Sequence, residues 1–171
     1  MYRRARLGLG YLPQEPSVFR KLTVEDNLTA VLQFQPLSAE EQKRRRKEVL
    51  EEMGLTALSG RIAGTLSGGE RRKVEIARSL VLSPSYLLLD EPFSGIDPIT
   101  IEDIRGIIRN LAHSGIGILI TDHNVHETLS ITDRAYLLFE GRILKSGTSA
   151  QLADDEHVRK VYLGKNFELR R

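Results

Sequence analysis

The run Leu66-Ser67-Gly68-Gly69-Glu70 places two glycines between a serine and a glutamate three residues on. Ser67 and Glu70 have the spacing of a capping box, so a helix opens here. Its first amides lie at the positive end of the helix dipole, and bare glycines let an anion approach them closely. A nucleotide phosphate suits that place, although a capped helix start with no ligand uses the same residues. Farther along, Leu87-Leu88-Leu89-Asp90-Glu91 sets two carboxylates at the end of an apolar run. Such a run predicts a strand buried on both faces of a parallel sheet, and α/β proteins bind ligands at the carboxyl ends of such strands. Consecutive strand residues point to opposite sides, so Asp90 and Glu91 do different jobs. One can hold Mg²⁺, and the other can face a water lined up on a γ-phosphate. A lone Asp-Glu pair can also cap a helix, but Pro92 argues against an immediate one.

Several elements must position these groups. Leu7 to Leu12 reads as a strand that runs out into a loop at Pro13. Ser38-Ala39-Glu40-Glu41 fits a second capping box, with a helix to about Met53 that stops at Gly54. The helix opened by Ser67 should continue through Arg71 to Leu82, with Pro84 ending it. Asp97-Pro98 looks like an N-cap followed by proline at the first helical position. Ile101, Ile104, Ile107, Ile108 and Leu111 then follow at helical spacing, up to Ser114-Gly115. Ile116 to Thr121 reads as another buried strand, followed by a short helix over 125–131. Arg134 to Phe139 and Arg142 to Lys145 form a hairpin turning at Glu140-Gly141. Between about Pro16 and Gly64 there is no strand pattern, which makes that segment a helical insertion. Strands alternating with helices predict an α/β sheet.

Bulk composition narrows the function. The chain has 171 residues, 40 % of them apolar and 28 % charged, enough for one sizeable core. There is no cysteine, so disulfides and thiolate metal sites are excluded. No apolar run is long enough to cross a bilayer, which predicts no direct membrane insertion. The net charge of +2 is too small to imply a nucleic-acid partner. Lys43-Arg44-Arg45-Arg46-Lys47 lies among glutamates and reads as a solvated helix face. His113, His126 and His157 match no motif and read as surface residues.

Taken in order, five segments resemble the ABC ATPase family. Gln14, in Gly10-Tyr11-Leu12-Pro13-Gln14, resembles the Q-loop glutamine, and Leu66 to Glu70 the signature motif. Leu87 to Glu91 looks like the Walker B strand with its glutamate, Ser94-Gly95-Ile96-Asp97 like the D-loop, and Thr121-Asp122-His123 like the switch loop. The resemblance implies the fold class: a P-loop NTPase-like (RecA-like) α/β core with an inserted α-helical subdomain. It divides the chain into core strand and Q-loop (1–15), helical subdomain to the signature motif (16–75), remaining core (76–150) and C-terminal tail (151–171). It also implies an ATP hydrolase with ATP and Mg²⁺ as cofactors. In that reading Glu91 and His123 are catalytic, Asp90 and Gln14 hold the metal, and Gln14, Ser67, Gly68, Gly69, Glu70 and Asp97 contact the nucleotide. Its expected partners are a second ATPase subunit, in a head-to-tail dimer, and transmembrane permease subunits. Phe19 and Arg20 would line the groove that takes the permeases' coupling helices. The expected location is the cytoplasmic face of the inner membrane.

Gly10 to Glu15, Phe19-Arg20, Asp26-Asn27-Leu28, Thr121 to Val125 and Tyr162-Leu163-Gly164 with Phe167 are similar to the branch of the family that powers lipopolysaccharide export. ATPases of branched-chain amino-acid importers share the Asp-Glu-Pro and Thr-Asp-His-Asn segments and are the rival within the family. No Gly-x-x-x-x-Gly-Lys-Ser/Thr segment occurs in the sequence. The family's phosphate-binding loop and first strands are therefore expected roughly seventy residues upstream of Met1, given ~230–240 residues for this fold. An incomplete reading frame, a truncated subunit that only docks with partners, and a decaying sequence all meet that expectation. On any of them, the chain by itself is expected to bind ATP weakly and hydrolyse it negligibly.

Overall fold

The computed structural model describes residues 2–160, with side chains from Arg4 onward. The closing segment around Tyr162 to Phe167 lies outside these residues. Packing divides the chain after Thr121 into two compact units.

The first unit begins with α1 (Tyr2–Arg6) and β1 (Leu9–Leu12), then α2 (Val24–Leu32) and α3 (Ala39–Glu52). Two short 3₁₀ turns lead to α4 (Gly68–Leu80), β2 (Tyr86–Asp90), α5 (Pro98–His113) and β3 (Gly117–Thr121). The three strands form one parallel sheet in the order β1-β2-β3, with Leu12 opposite Leu89 and Asp90 opposite Thr121. An α/β core with a helical insertion is therefore present as expected. The expected division at 75 falls inside α4.

Local chemistry explains the helix ends. Ser38 and Glu41 make the predicted capping box, and Gly54 at φ +64° ends α3, a backbone that favours glycine. α4 stops two residues earlier than the apolar spacing suggests, because Ser83 turns left-handed (φ 50°) ahead of Pro84. Asp97 caps α5, with Pro98 at its start. Val24, Leu28 and Leu32 of α2, Val49 and Leu50 of α3, and Val74, Ala77 and Leu80 of α4 are buried. Each such side chain contributes about 1.5–3 kcal/mol relative to exposure, so the insertion is held mainly by this shared apolar core.

Two strand expectations change. In β2 only Leu87 and Leu89 are fully buried, while Leu88 is half-buried and Tyr86 is 61 % exposed. In β3 no residue is fully buried, and Leu119 is 57 % exposed. An apolar run reports that a strand can be buried, whereas the layers packed on each face decide whether it is. Among the described residues β3 is an edge strand.

The second unit holds α6 (Val125–Ile131), the antiparallel hairpin β4 (Ala135–Phe139) and β5 (Arg142–Gly147), α7 (Ser149–Asp154) and α8 (Glu156–Val158). The hairpin turns through Glu140 and Gly141, both at positive φ. Leu129, Leu137, Leu152 and Val158 form its core.

Candidate nucleotide site

The carboxyl ends of β1 and β2 carry the first group of predicted residues. The Asp90 carboxylate accepts a 2.6 Å hydrogen bond from Thr121 Oγ1 and a 3.2 Å bond from the Tyr11 hydroxyl. Neighbouring strands thus fix its two oxygens from opposite sides. Desolvation, then the hydrogen bond to Asp90 and its charge, hold the Tyr11 phenol above its usual range. Glu91 has left the strand: its φ is +42°, and its N–H donates to Thr121 O at 2.7 Å. Its direction therefore comes from a left-handed turn and not from strand alternation. Such a backbone costs a non-glycine residue roughly 1–2 kcal/mol, and residues of this kind gather at functional sites. Gln14 Nε2, two residues beyond the end of β1, donates to Glu91 Oε2 at 2.8 Å.

Beneath this group lies a residue that sequence reasoning passed over. The Arg72 guanidinium, on α4 and only 6 % exposed, donates to Pro13 O (2.8 Å), Asp90 O (3.1 Å), Glu91 O (3.3 Å) and Glu75 Oε2 (3.1 Å). One side chain thereby ties the loop after β1 to the end of β2. Glu75, itself buried, also accepts from the Ser17 amide at 2.5 Å. Arg78 donates to Ser17 O and Oγ at 2.6 and 2.8 Å and stacks over the Phe19 ring at 4.9 Å. The sequence signal was an Arg-Glu-Arg series spaced by three on a helix that also carries Val74, Ile76 and Ala77. Charges on a buried stripe must be paired.

The start of α4 matches expectation in outline and differs in detail. Ser67 Oγ accepts from the Glu70 amide at 3.2 Å, and the Glu70 carboxylate accepts from the Ser67 amide at 2.7 Å. These bonds hold the Glu70 carboxyl below its usual range. The Glu70 carboxylate is therefore spent on the cap. Asp97 likewise accepts from the Thr100 amide (3.0 Å) and hydroxyl (2.6 Å), and those bonds lower its pKa. Gly68 is exposed, whereas Gly69 is buried against α5. Gln14, Glu15, Gly68, Arg71, Ser94 and Gly95 line a cleft of about 410 Å³.

Phe19, 46 % exposed, has its backbone gripped on both sides by the fully buried Asn27. Oδ1 accepts from Phe19 N (2.8 Å), and Nδ2 donates to Phe19 O (3.1 Å). Arg20 is exposed beside it, and its carbonyl accepts from the Gly64 amide at 2.9 Å. The structure thus brings together Gln14, Asp90 and Glu91 at the strand ends, and sets Gly68 on the cleft that Gln14 also lines. His123 belongs to the second unit. Its side chain is 72 % exposed, with Nδ1 3.8 Å from Asp122 Oδ1.

A parallel sheet with paired carboxylates at its carboxyl end, beside a glycine-led helix start, defines an NTPase core of the transporter type. The chain belongs to the ABC transporter family, whose pattern matches residues 1–94. It is 54 % identical over 169 residues to the lipopolysaccharide export system ATP-binding protein LptB of Acidithiobacillus ferridurans, covering 99 % of this chain and 70 % of that protein. To LptB of Escherichia coli K12 it is 52 % identical over 170 residues, with the same coverage. Among solved structures, an ATP-binding cassette of an ABC transporter in its ADP conformation superposes with a TM-score of 0.80 at 28 % identity, covering 95 % of this chain and 71 % of that one. The protein cbiO1 of Clostridium perfringens, part of the transporter complex cbiONQ, gives 0.83 at 28 % identity, over 93 % and 64 %.

Membership in this family carries nucleotide binding with it. Among the described residues no three His, Asp or Glu groups converge as an all-protein metal cage. Asp90 carries a carboxylate and Gln14 an amide oxygen, the kinds of donor that Mg²⁺ takes alongside phosphates and waters. Of the described helices, none is long and apolar enough to cross a membrane.

Proposed function

We propose that this chain is the ATP-hydrolysing part of a transporter that exports lipopolysaccharide, working as a dimer against membrane-embedded permease subunits. The observation that carries the chemical half is the Gln14–Glu91 hydrogen bond at the carboxyl ends of β1 and β2, one residue from Asp90. The substrate half is supported by identity of 49–54 % to six LptB proteins over nearly the whole chain.

In this reading Glu91 takes the proton of a water as its oxygen attacks the γ-phosphorus, and ADP leaves. Asp90 and the Gln14 amide oxygen would hold Mg²⁺, which would neutralise the charge that develops on the phosphates. Arg72 keeps the backbones of Pro13, Asp90 and Glu91 in place without touching substrate. The amide of Gly68 and the Ser67 hydroxyl meet the γ-phosphate held by the second subunit, Asp97 shapes the neighbouring loop, and His123 bonds the γ-phosphate from the switch loop. Phe19, stacked on Arg78 of α4, and Arg20 receive the permeases' coupling helices.

The test is made in the assembled transporter in proteoliposomes. Glu91→Gln should lower turnover about 10²–10⁴-fold while leaving ATP-driven dimerisation intact, because the amide preserves shape and removes the base. Wild-type turnover in the variant would remove Glu91 from this role. Co-purification with amino-acid importer permeases would replace the lipopolysaccharide assignment.

A further inference from the structure

We propose that Thr100 is a positioning residue that locks the start of α4 to the start of α5 through the bare face of Gly69. A Cβ built on Gly69 would lie 2.1 Å from Thr100 Cγ2, 2.9 Å from Thr100 Oγ1 and 3.1 Å from Thr100 Cβ. Threonine cannot swing its methyl away cheaply, because Oγ1 donates to Asp97 Oδ2 at 2.6 Å and the Thr100 amide donates to Asp97 Oδ1 at 3.0 Å. The methyl is thus held against Gly69 by the same hydrogen bonds that cap α5. One turn farther along both helices, Lys73 Nζ and Asp103 Oδ2 meet at 2.8 Å and fix the same register.

The two glycines are therefore bare for different reasons. A Cβ on Gly68 would meet only Gly95 O, at 4.0 Å, so that position is open towards the cleft. Gly69 is bare because a neighbouring helix occupies the space, and no ligand is needed to explain it. The consequence is mechanical. Both helices begin side by side, so a ligand that draws on the Gly68 amide moves Asp97 and its loop as part of one body. Thr100 sets the spacing between them. Its bearing on catalysis rests on the nucleotide site proposed above, whereas the packing does not.

Thermal melting and amide hydrogen exchange of Gly69→Ala, Thr100→Ala, the double variant and Gly68→Ala test this directly. Alanine in a helix is ordinarily more stable than glycine, so the sign is informative. Gly69→Ala should lower the melting temperature by about 5 °C, the scale expected of overpacking in a chain this size. Adding Thr100→Ala should restore at least half of that loss, and Gly68→Ala should leave melting within about 2 °C of wild type. Exchange at 68–71 and at 99–101 should rise together in Gly69→Ala and fall together in the double variant. If Gly69→Ala does not fold, Thr100→Ser, which keeps the hydroxyl and drops the methyl, should quicken exchange at 69–71 and leave the Thr100 amide protected. A Gly69→Ala protein as stable as wild type, no rescue by Thr100→Ala, or unchanged exchange in Thr100→Ser would each overturn the proposal. Absence of ATP turnover in the assembled wild-type transporter, with normal rescue of melting in the double variant, would leave the packing intact and count against the nucleotide reading alone.

Discussion

Gln14 Nε2 donates to Glu91 Oε2 across 2.8 Å, joining the loop after β1 to a glutamate that has turned out of β2. The two residues are 77 positions apart, so the contact exists only because Leu12 pairs with Leu89 in register. It ties the loop after β1 to the proposed base.

Reversing the polarity of that contact should be measurable. Gln14→Glu places a second carboxylate against Glu91, and like charges at hydrogen-bond range repel. At pH 7 its melting temperature should lie below that of Gln14→Ala by about 1–3 °C, a modest figure because Gln14 is exposed. The gap should close by about pH 4, where carboxylates protonate. Equal melting of the two variants at pH 7 would show that the pair is not engaged in solution.

Arg72 should be far more costly to remove. Arg72→Met keeps bulk but strands the Glu75 carboxylate, 3 % exposed, and three carbonyl oxygens. Breaking such a buried pair costs about 3–5 kcal/mol, read as a lower urea midpoint at unchanged slope. Arg72→Lys should recover only part of it, since an ammonium cannot fork to acceptors on two strand ends. A loss below about 1 kcal/mol in Arg72→Met would mean that the clamp is not made in solution.

Stability should also depend on acid in a predictable direction. Hydrogen bonds within the caps lower the carboxyl pKa of Glu41, Glu70 and Asp97. The bond from Lys145, and after it the cap bond from the Val158 amide, lower that of Asp155. A depressed folded pKa contributes stability above the unfolded value, lost as pH falls through the folded one. Melting should therefore be flat towards pH 5 and fall below about pH 4.5. Glu70→Gln can still accept from Ser67, so its melting curve should fall less steeply with acid. An identical acid slope would remove Glu70 from the account.

Phe19 has its backbone fixed by Asn27 and one ring face covered by Arg78. Preorganised aromatic anchors beside arginines are common hot spots, so Phe19→Ala should weaken capture of the membrane subunits by about 1–3 kcal/mol. ATP chemistry in the soluble part should stay near wild type. Pull-down of detergent-solubilised permease with both proteins measures this, and equal recovery would end the coupling role.

Much of this was legible in the chain itself. Caps at Ser38, Ser67 and Asp97, the Glu140-Gly141 hairpin and the three parallel strands follow from local residue preferences, which act over a few positions. The order of Gln14, Ser67, Asp90, Glu91 and His123 pointed to the family for the same reason: each lies at an element end that its neighbours specify.

Other features needed the packed molecule. Burial of β2 and β3 depended on what covers each face, which an apolar run does not state. The direction of Glu91 came from a left-handed turn whose amide bonds Thr121, a partner 30 residues away in sequence. Arg72 looked like one cation among several until the fold placed Pro13, Asp90 and Glu91 around it. Gly68 and Gly69 are identical as letters, and only the approach of α5 separates them. Sequence alone determined most of the segments that become helices and strands and the caps that open them, because those choices are settled by neighbours along the chain. Which side chains meet was decided by tertiary structure, because sheet register and helix contact join residues that the chain keeps apart.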